Sequence, residues 1–249
     1  MRSNDVVLIT GAAAGLGREL ARQLAALGCR LLLLDVDGAA LEAVREELAS
    51  VDGAPELRAY TCDITDLDEV TRVFEQVERE VGHIDVLVNN AGIFTDDEIE
   101  LRDPQRRRTA FLVNALGPIQ VTHAALPLLR RSSDGAHILN VISASGAGDT
   151  EAADNRRWST YGATKSALAG FTTTLTRQLA PEGIKVSAVF PGGFESNLYE
   201  AAGTVEEHHD AFWMMRTVDV AEIVVFVLTR PRDVNVERLL VTKVISTPA

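Results

Sequence analysis

The chain has 249 residues, 46% of them hydrophobic and 24% charged, which is enough to bury a large core in one sizeable domain or two small ones. A formal net charge of −12 without a sustained basic run argues against nucleic acid as a partner. The first residues run straight into a strand-like segment, and we expect no signal peptide, no membrane span and a cytoplasmic location.

Strand-like and helix-like segments alternate along the chain. The β-branched run 6–10 predicts a buried strand, and leucines at helical spacing over 16–27, ended by Gly28, predict the helix that follows. Further strands are predicted at 31–35, 57–61, 84–88, 136–142, 185–190 and 238–241, and further helices at 39–48, 67–81, 109–129, 161–179 and 218–228. With no internal repeat or linker, this order predicts an α/β fold, a doubly wound parallel sheet with helices on both faces.

A glycine-rich turn joins the first predicted strand to the first predicted helix, with the sequence Thr10-Gly11-Ala12-Ala13-Ala14-Gly15-Leu16-Gly17. Glycine permits a tight turn and a close approach to a ligand, and the N–H groups at a helix start attract phosphate. Asp35 ends the second predicted strand 18 residues after Gly17, near the spacing of about 20 at which a carboxylate binds the adenosine ribose. An ordinary turn and a strand-end aspartate are the alternatives.

Tyr161 and Lys165 lie four residues apart in a predicted helix, which puts the phenol and the ammonium on one face. A nearby cation favours phenolate. The spacing therefore predicts a lowered pKa for Tyr161 and use of its hydroxyl as an acid or base. A chance pair on a solvated helix is the alternative.

Five motifs stand in one order along the chain. They are the glycine loop, Asp35, Asn89-Asn90-Ala91-Gly92, Ser143, and Tyr161 with Lys165. Together they resemble the short-chain dehydrogenase/reductase family, and the resemblance covers nearly the whole chain. It implies a single-domain Rossmann fold over residues 1–249, with a mobile substrate lid at about 194–217.

The resemblance also implies a role for each matching residue. Tyr161 would act as acid or base, Lys165 would lower its pKa and bind the nicotinamide ribose, and Ser143 would polarise the substrate oxygen. Asn114 would hold a water in a proton relay to the lysine. The cofactor-binding residues implied in the same way are Thr10, Gly11, Gly15, Leu16, Gly17, Asp35, Asp63, Ile64, Asn90, Ala91, Gly92, Tyr161, Lys165, Pro191, Gly192, Phe194 and Ser196.

The function implied is hydride transfer between a nicotinamide cofactor and a secondary alcohol or ketone. Asp35 would repel a 2′-phosphate and no basic residue stands at Ala14 or Val36, so NAD is favoured over NADP. The alternatives are an NADP-dependent carbonyl or carrier-linked ketoacyl reductase and a catalytically silent cofactor-binding sensor or scaffold. We expect a homo-oligomer, a tetramer or a dimer, formed through the helices at 109–129 and 161–179.

Two segments distinguish this chain within the family pattern. Ser143 and Tyr161 are 18 residues apart, more than is common, which indicates an insertion within 146–160. Its Arg156-Arg157-Trp158 either contacts the substrate or lies in a solvated loop. Apolar residues of the lid either favour an apolar substrate body or pack a helix. They are Tyr199, Phe212, Trp213, Met214 and Met215.

The sequence predicts no metal site. Cys29 and Cys62 are isolated, without the spacing of a disulfide framework or of metal ligands, and each should behave as a small buried hydrophobe. His208 and His209 lie in the lid without a third ligand at metal spacing.

Overall fold

The computed structural model describes residues 2–95, 103–148, 158–198 and 214–244. These ranges contain a parallel sheet whose strands are β1 (Val6–Thr10), β2 (Arg30–Asp35), β3 (Leu57–Thr61), β4 (Val86–Asn89), β5 (His137–Val141), β6 (Lys185–Pro191) and β7 (Arg238–Val241). Hydrogen bonds join the strands in the order β3-β2-β1-β4-β5-β6-β7. Every residue of β1, β4 and β5 is buried, as expected of strands covered on both faces.

Helices cover both faces of the sheet. They are α1 (Gly15–Ala26), α2 (Gly38–Ala49), α3 (Leu67–Glu80), α4 (Pro104–Phe111), α5 (Gly117–Leu129), α6 (Ser159–Leu179) and α7 (Thr217–Leu228). One apolar core lies beneath α1, α2 and α7, and a second lies beneath α3, α5 and α6. The predicted doubly wound α/β fold is therefore confirmed.

The two cysteines lie in these cores, Cys29 in the first and Cys62 in the second. Burial raises the pKa of each thiol to about 11, so both carry their protons at neutral pH. Their prediction as small buried hydrophobes is confirmed.

The long helix predicted at 109–129 begins earlier and contains an irregular turn. Asp103 caps its start by accepting hydrogen bonds from two backbone N–H groups, both at 3.0 Å, and Pro104 occupies the first turn. Between α4 and α5, Leu112–Leu116 forms a π-helical turn, whose hydrogen bonds span one residue more than those of an α-helix. The prediction therefore missed both the first turns and the irregularity.

The same helix, Pro104–Leu129, is long and apolar enough to cross a membrane, although no such stretch was predicted from the sequence. It has 26 residues, and its most apolar window of 18 residues has a mean hydropathy of 1.3. Half of that window is buried inside the protein, where α5 packs against α3 and α6. This packing accounts for the apolar residues of the buried half.

The winding of the sheet reverses between β1 and β4. β1 pairs with β2 on one side and with β4 on the other, all in parallel. The connections that leave these strands diverge, which opens a crevice at the carboxyl ends of the strands. Thr10, Asp35 and Asn89 end β1, β2 and β4 at this edge. Doubly wound folds bind their ligands in such a crevice.

Candidate active site

Two glycines, one in the loop between β1 and α1 and one in the first turn of α1, lie too close to their neighbours to carry side chains. Gly11 has a φ of +66°, and a Cβ there would lie 2.8 Å from the Cα of Ala91. A Cβ on Gly17 would lie 1.9 Å from the carbonyl oxygen of Gly11. The loop therefore presents bare backbone at the start of α1, where helix N–H groups favour an anion.

Thr10 and Asn90 fasten this loop to the turn that follows β4. The hydroxyl oxygen of Thr10 accepts hydrogen bonds from the N–H groups of Asn90 and Ala91, both at 3.0 Å. The side-chain amide of Asn90 donates to the carbonyl oxygens of Thr10, at 3.0 Å, and Gly11, at 3.1 Å. These predicted cofactor-binding residues fix the shape of the loop.

The carboxylate of Asp35 holds the other side of the loop. Its Oδ2 accepts from the N–H of Ala13 and its Oδ1 from the N–H of Asp37, both at 3.0 Å. Each oxygen has a second lone pair that a ligand hydroxyl can use. The carboxylate of Asp37 caps α2, so the turn between β2 and α2 carries two acidic side chains.

The side chains of Tyr161, Ser143 and Lys165 meet at the carboxyl end of β5. α6 carries Tyr161 and Lys165 one turn apart, and Nζ of Lys165 lies 5.8 Å from the centre of the Tyr161 ring. Ser143 follows β5 by two residues and is hydrogen-bonded through its side chain to Tyr161. Its hydroxyl oxygen also accepts from the N–H of Ser145 at 3.2 Å, which fixes its orientation.

Burial sets the protonation of this group. Loss of solvation raises the pKa of Tyr161 to about 12, and the hydrogen bond with Ser143 opposes part of that rise. The prediction that Lys165 lowers the pKa of Tyr161 is therefore wrong for this structure. Tyr161 is only 8% exposed, and desolvation has the largest effect on its pKa. Loss of solvation also lowers the pKa of Lys165 to about 8. At neutral pH the phenol carries its proton.

Asn114 lies inside the π-helical turn and is completely buried. Its Oδ1 accepts from the N–H of Ile93 at 2.8 Å, and its Nδ2 donates to the carbonyl of Ile93 at 2.9 Å and to Oγ1 of Thr164 at 3.1 Å. A Cβ on Gly92 would lie 3.2 Å from Oδ1 of Asn114 and 3.3 Å from Nζ of Lys165. Asn114 thus clamps the turn after β4 onto α6, next to the ammonium.

The residues predicted at the adenine end of the cofactor follow β3. Oδ1 of Asp63 accepts from the N–H and the hydroxyl of Thr65, both at 2.8 Å. Ile64 is buried, and its carbonyl accepts from the side-chain amide of Gln120 at 2.9 Å, which ties it to α5. Both residues lie at the same edge of the sheet as Asp35.

The residues predicted at the nicotinamide end follow β6. Pro191 ends that strand, and the N–H of Gly192 donates to a carbonyl of β7 at 2.7 Å. Phe194 forms a β-bridge with Met215 and packs against the core beneath α1 and α7. This part of the predicted lid is therefore joined to the body of the protein.

The segment after β6 returns to the glycine loop. Ser196 is partly buried, and a Cβ on Gly15 would lie 3.8 Å from Oδ1 of the next residue, Asn197. Leu16 is buried beneath the loop. The two ends of the predicted cofactor site, the loop and the segment after β6, thus face each other.

A family model described as short chain dehydrogenase matches residues 5–207. The chain belongs to the short-chain dehydrogenase family. An uncharacterized oxidoreductase of Staphylococcus saprophyticus is 30% identical over 245 residues, covering 97% of this chain and 98% of that protein. Epidermal retinol dehydrogenase 2 of Mus musculus is 35% identical over 205 residues, covering 81% of this chain and 64% of that protein.

Solved short-chain dehydrogenase structures share the fold over its full length. An alcohol dehydrogenase from the archaeon Thermococcus sibiricus, complexed with 5-hydroxy-NADP, is similar with a TM-score of 0.85 and 26% identity, covering 98% of this chain and 99% of that one. The present chain is therefore an oxidoreductase of the short-chain dehydrogenase family.

Two residues of this short-chain dehydrogenase site, Thr164 and Phe94, were not anticipated from the sequence, and neither was the close packing of Gly146, the glycine of the segment Asn140-Val141-Ile142-Ser143-Ala144-Ser145-Gly146. Gly146 lets the turn bearing Ser143 pack on α6, since a Cβ there would lie 2.7 Å from the backbone carbon of Lys165. Thr164 bonds both Asn114 and the carbonyl of Tyr161, a local bond that a helical threonine commonly makes and that the sequence could have suggested. Phe94 packs edge-on against Tyr161, and no local pattern indicates that contact.

Several predicted residues lie outside the part of the short-chain dehydrogenase that the structure describes. They are Arg156, Arg157, Tyr199, His208, His209, Phe212 and Trp213. Within the described ranges, no three His, Cys, Asp or Glu side chains lie close enough to hold a metal ion.

Proposed function

We propose that this short-chain dehydrogenase transfers hydride between NAD(H) and a secondary alcohol or ketone. The observation that carries the proposal is the hydrogen bond between Tyr161 and Ser143, with Lys165 one helical turn away. A panel of secondary alcohols and ketones, including sugars, steroids and hydroxy acids, read by NADH absorbance, tests it. Absorbance unchanged across the panel while NADH still binds would count against it.

Tyr161 exchanges a proton with the substrate oxygen in this proposal. Since burial raises its pKa to about 12, the phenol at neutral pH can donate its proton to a carbonyl oxygen as that oxygen gains negative charge. In the opposite direction the phenolate accepts the alcohol proton, which favours alkaline pH. The nicotinamide, when bound, supplies or accepts the hydride.

The other side chains hold the substrate oxygen and supply the proton. Ser143 donates a hydrogen bond to the substrate oxygen and so stabilises the charge that develops there. Lys165 binds the nicotinamide ribose. Asn114 holds a water between its own oxygen and Lys165 in this proposal, and both groups face Gly92, where a Cβ would lie 3.2 Å from Oδ1 of Asn114 and 3.3 Å from Nζ of Lys165. This relay leads from Tyr161 to solvent.

The loop residues fit the phosphates of a dinucleotide. Gly11 and Gly17 keep the backbone bare at the N-terminus of α1, where N–H groups bind pyrophosphate oxygens. Asp35 lies at the end of β2, where its second lone pairs can accept from ribose hydroxyls. Asp63, Ile64 and the segment after β6 then contact the two bases.

We infer a preference for NAD over NADP from the carboxylate of Asp35, with Asp37 adding a second negative charge in the same turn. In the wild type, NADH should bind more tightly than NADPH. Asp35→Asn keeps an acceptor for the N–H of Ala13 but removes the charge, so NADPH affinity should rise by about tenfold, or ~1.4 kcal/mol. Side-by-side titration of the two cofactors measures this.

A wild type that binds NADPH more tightly than NADH would contradict the preference for NAD. The Thermococcus sibiricus enzyme, solved with an NADP analogue, makes an NADP-dependent carbonyl reductase the second candidate. Asp37→Asn is the matched control because its side chain caps α2 from the solvent side. We expect a smaller change in NADPH affinity from that substitution.

Thr164 should matter for turnover because it connects Asn114 to the backbone of Tyr161. Its Oγ1 accepts from Nδ2 of Asn114 at 3.1 Å and donates to the carbonyl of Tyr161 at 2.7 Å. Thr164→Val preserves the shape but leaves a buried amide hydrogen without a partner, which destabilises the fold by about 1–3 kcal/mol. We expect kcat to fall by about tenfold as Asn114 and Tyr161 shift.

Thr172 provides a matched control on the same helix. Its Oγ1 accepts from Nδ2 of Asn140 at 2.7 Å and donates to the carbonyl of Leu168 at 2.7 Å, the same arrangement two turns further from the site. Thr172→Val should lower the melting temperature similarly while kcat stays near the wild-type value. Equal kcat values in the two variants would remove the role given to Thr164.

We also propose that the chain forms one catalytic domain with its lid at about 194–217, works in the cytoplasm and assembles as a tetramer or dimer. Phe111 and Leu116 support self-association, since they are 44% and 42% exposed near the middle of the long helix expected to form the interface. Light scattering should therefore give a mass of at least two chains. A monomer across the working concentration range would contradict this.

A further inference from the structure

Three aromatic rings lie in contact in a row at the site. The ring of Phe94 lies between those of Tyr161 and Trp158, with centroids 5.1 Å from the first and 5.5 Å from the second. The interplanar angles are 69° and 81°, so both contacts are edge-to-face. Each such pair contributes about 0.5–1.5 kcal/mol beyond the burial of its surface.

The row joins two parts of the chain that are distant in sequence. Phe94 belongs to the turn after β4, where Asn114 holds the neighbouring residue Ile93 through both its N–H and its carbonyl. Trp158 immediately precedes α6 and its carbonyl accepts from the N–H of Gly162 at 2.8 Å. Hydrogen bonds therefore hold the backbone next to the central ring, Phe94, and at one end of the row, Trp158.

The position of the Tyr161 ring is sensitive to the side chains that contact it, and Phe94 is one of them. Its hydroxyl is at the far end of the side chain, so a small rotation about the Cα–Cβ bond moves it further than any other atom of the residue. The hydroxyl is hydrogen-bonded to Ser143, and Nζ of Lys165 lies 5.8 Å from the ring centre. Phe94 is only 5% exposed and bears directly on the ring. Displacement of a reacting group by about 1 Å can lower a rate by about a hundredfold.

We propose that Phe94 is a positioning residue for Tyr161 and that Trp158 acts on Tyr161 through Phe94. The proposal rests on the proposed role of Tyr161 as acid and base. It also assigns a purpose to the residue that immediately precedes α6 in the longer connection between Ser143 and Tyr161, because Trp158 links that connection to the reacting side chain through Phe94.

Phe94→Leu tests the first part, with Phe74→Leu as a matched control. Phe74 is also 5% exposed, but it lies on α3 in the core beneath that helix. Both variants should lose stability to a similar extent. Only Phe94→Leu should lower kcat, by about ten- to a hundredfold, while the Kd for NADH stays within about twofold of the wild type.

The pH profile supplies a readout that stability alone would not move. Phe94 helps to keep water from the phenol, so its loss should lower the apparent pKa of Tyr161 in the pH dependence of kcat/KM for alcohol oxidation. Phe74→Leu should leave that profile unchanged. Equal kcat values and equal profiles for the two variants would overturn the role of Phe94.

A double-mutant cycle tests the second part. If Trp158 acts through Phe94, Trp158→Leu should lower kcat in the wild type but change it by less than about twofold when Phe94 is already leucine. Additive effects would overturn the indirect action of Trp158. Tyr161→Phe, measured in parallel, separates the two proposals. If this variant keeps its turnover, the proposed function is wrong. If it loses turnover while Phe94→Leu keeps the wild-type kcat, only the present inference is wrong.

Discussion

Tyr161→Phe should lower turnover by about a thousandfold or more while the Kd for NADH stays within a few-fold of the wild type. The phenylalanine ring keeps the edge-to-face contact with Phe94 but has no proton to exchange with the substrate oxygen. Stopped-flow single turnover, with NADH binding measured separately by fluorescence, distinguishes lost chemistry from lost binding. Most of the wild-type rate in this variant would refute the assignment.

The pH dependence of the wild type gives an independent check on Tyr161. Because the pKa of the phenol is raised to about 12, the phenolate fraction should rise about tenfold per pH unit throughout the neutral and mildly alkaline range. Alcohol oxidation should follow that rise, whereas ketone reduction should be fastest where the phenol is protonated. An oxidation rate that levels off near neutral pH would show that another group accepts the proton.

Lys165→Met should stabilise the fold near neutral pH while it abolishes most turnover. Lys165 is 4% exposed, and desolvation lowers the pKa of its ammonium group from 10.5 to about 8. Keeping it charged at about pH 7 therefore destabilises the native state by about 3 kcal/mol, and a methionine of similar length removes that penalty. Urea unfolding of the two proteins measures the difference.

The sign of the effect reverses the usual expectation for loss of a charged side chain. In the unfolded chain Lys165 titrates near 10.5, so between about pH 8 and 10.5 the unfolded state binds more protons and wild-type stability rises with pH. The advantage of Lys165→Met should thus be greatest below about pH 8 and nearly absent above about pH 10.5. A methionine variant less stable than the wild type at neutral pH would mean that the ammonium is better solvated than its burial indicates.

The strands and the glycine loop could be predicted because their signals are local. The run 6–10 contains only apolar and β-branched residues, and the structure has β1 at Val6–Thr10. Gly11 and Gly17 stand where a Cβ would collide with backbone. In such cases, the conformation of a few adjacent residues determines which residue type can occupy the position.

The electrostatics and the ring contacts could not be predicted because they depend on residues far apart in sequence. The spacing of Tyr161 and Lys165 correctly places them one turn apart, but it contains no information on burial, which determines the direction of both pKa shifts. Phe94 contacts Tyr161 across 67 positions of sequence. Such contacts form only once β4 has joined the sheet and α6 has packed against it.

The π-helical turn at Leu112–Leu116 limits how the length of this chain can vary. Deleting one of its residues would let the helix close as a regular α-helix, which is the more common conformation. The wider turn takes up one extra residue while the flanking helices stay in phase, so the deletion would leave α4 and α5 aligned but would remove the wide turn that carries Asn114 toward Ile93 and Thr164. Homologues that retain this clamp should therefore show substitutions in the segment but no single-residue gaps, even though the helix itself would tolerate one.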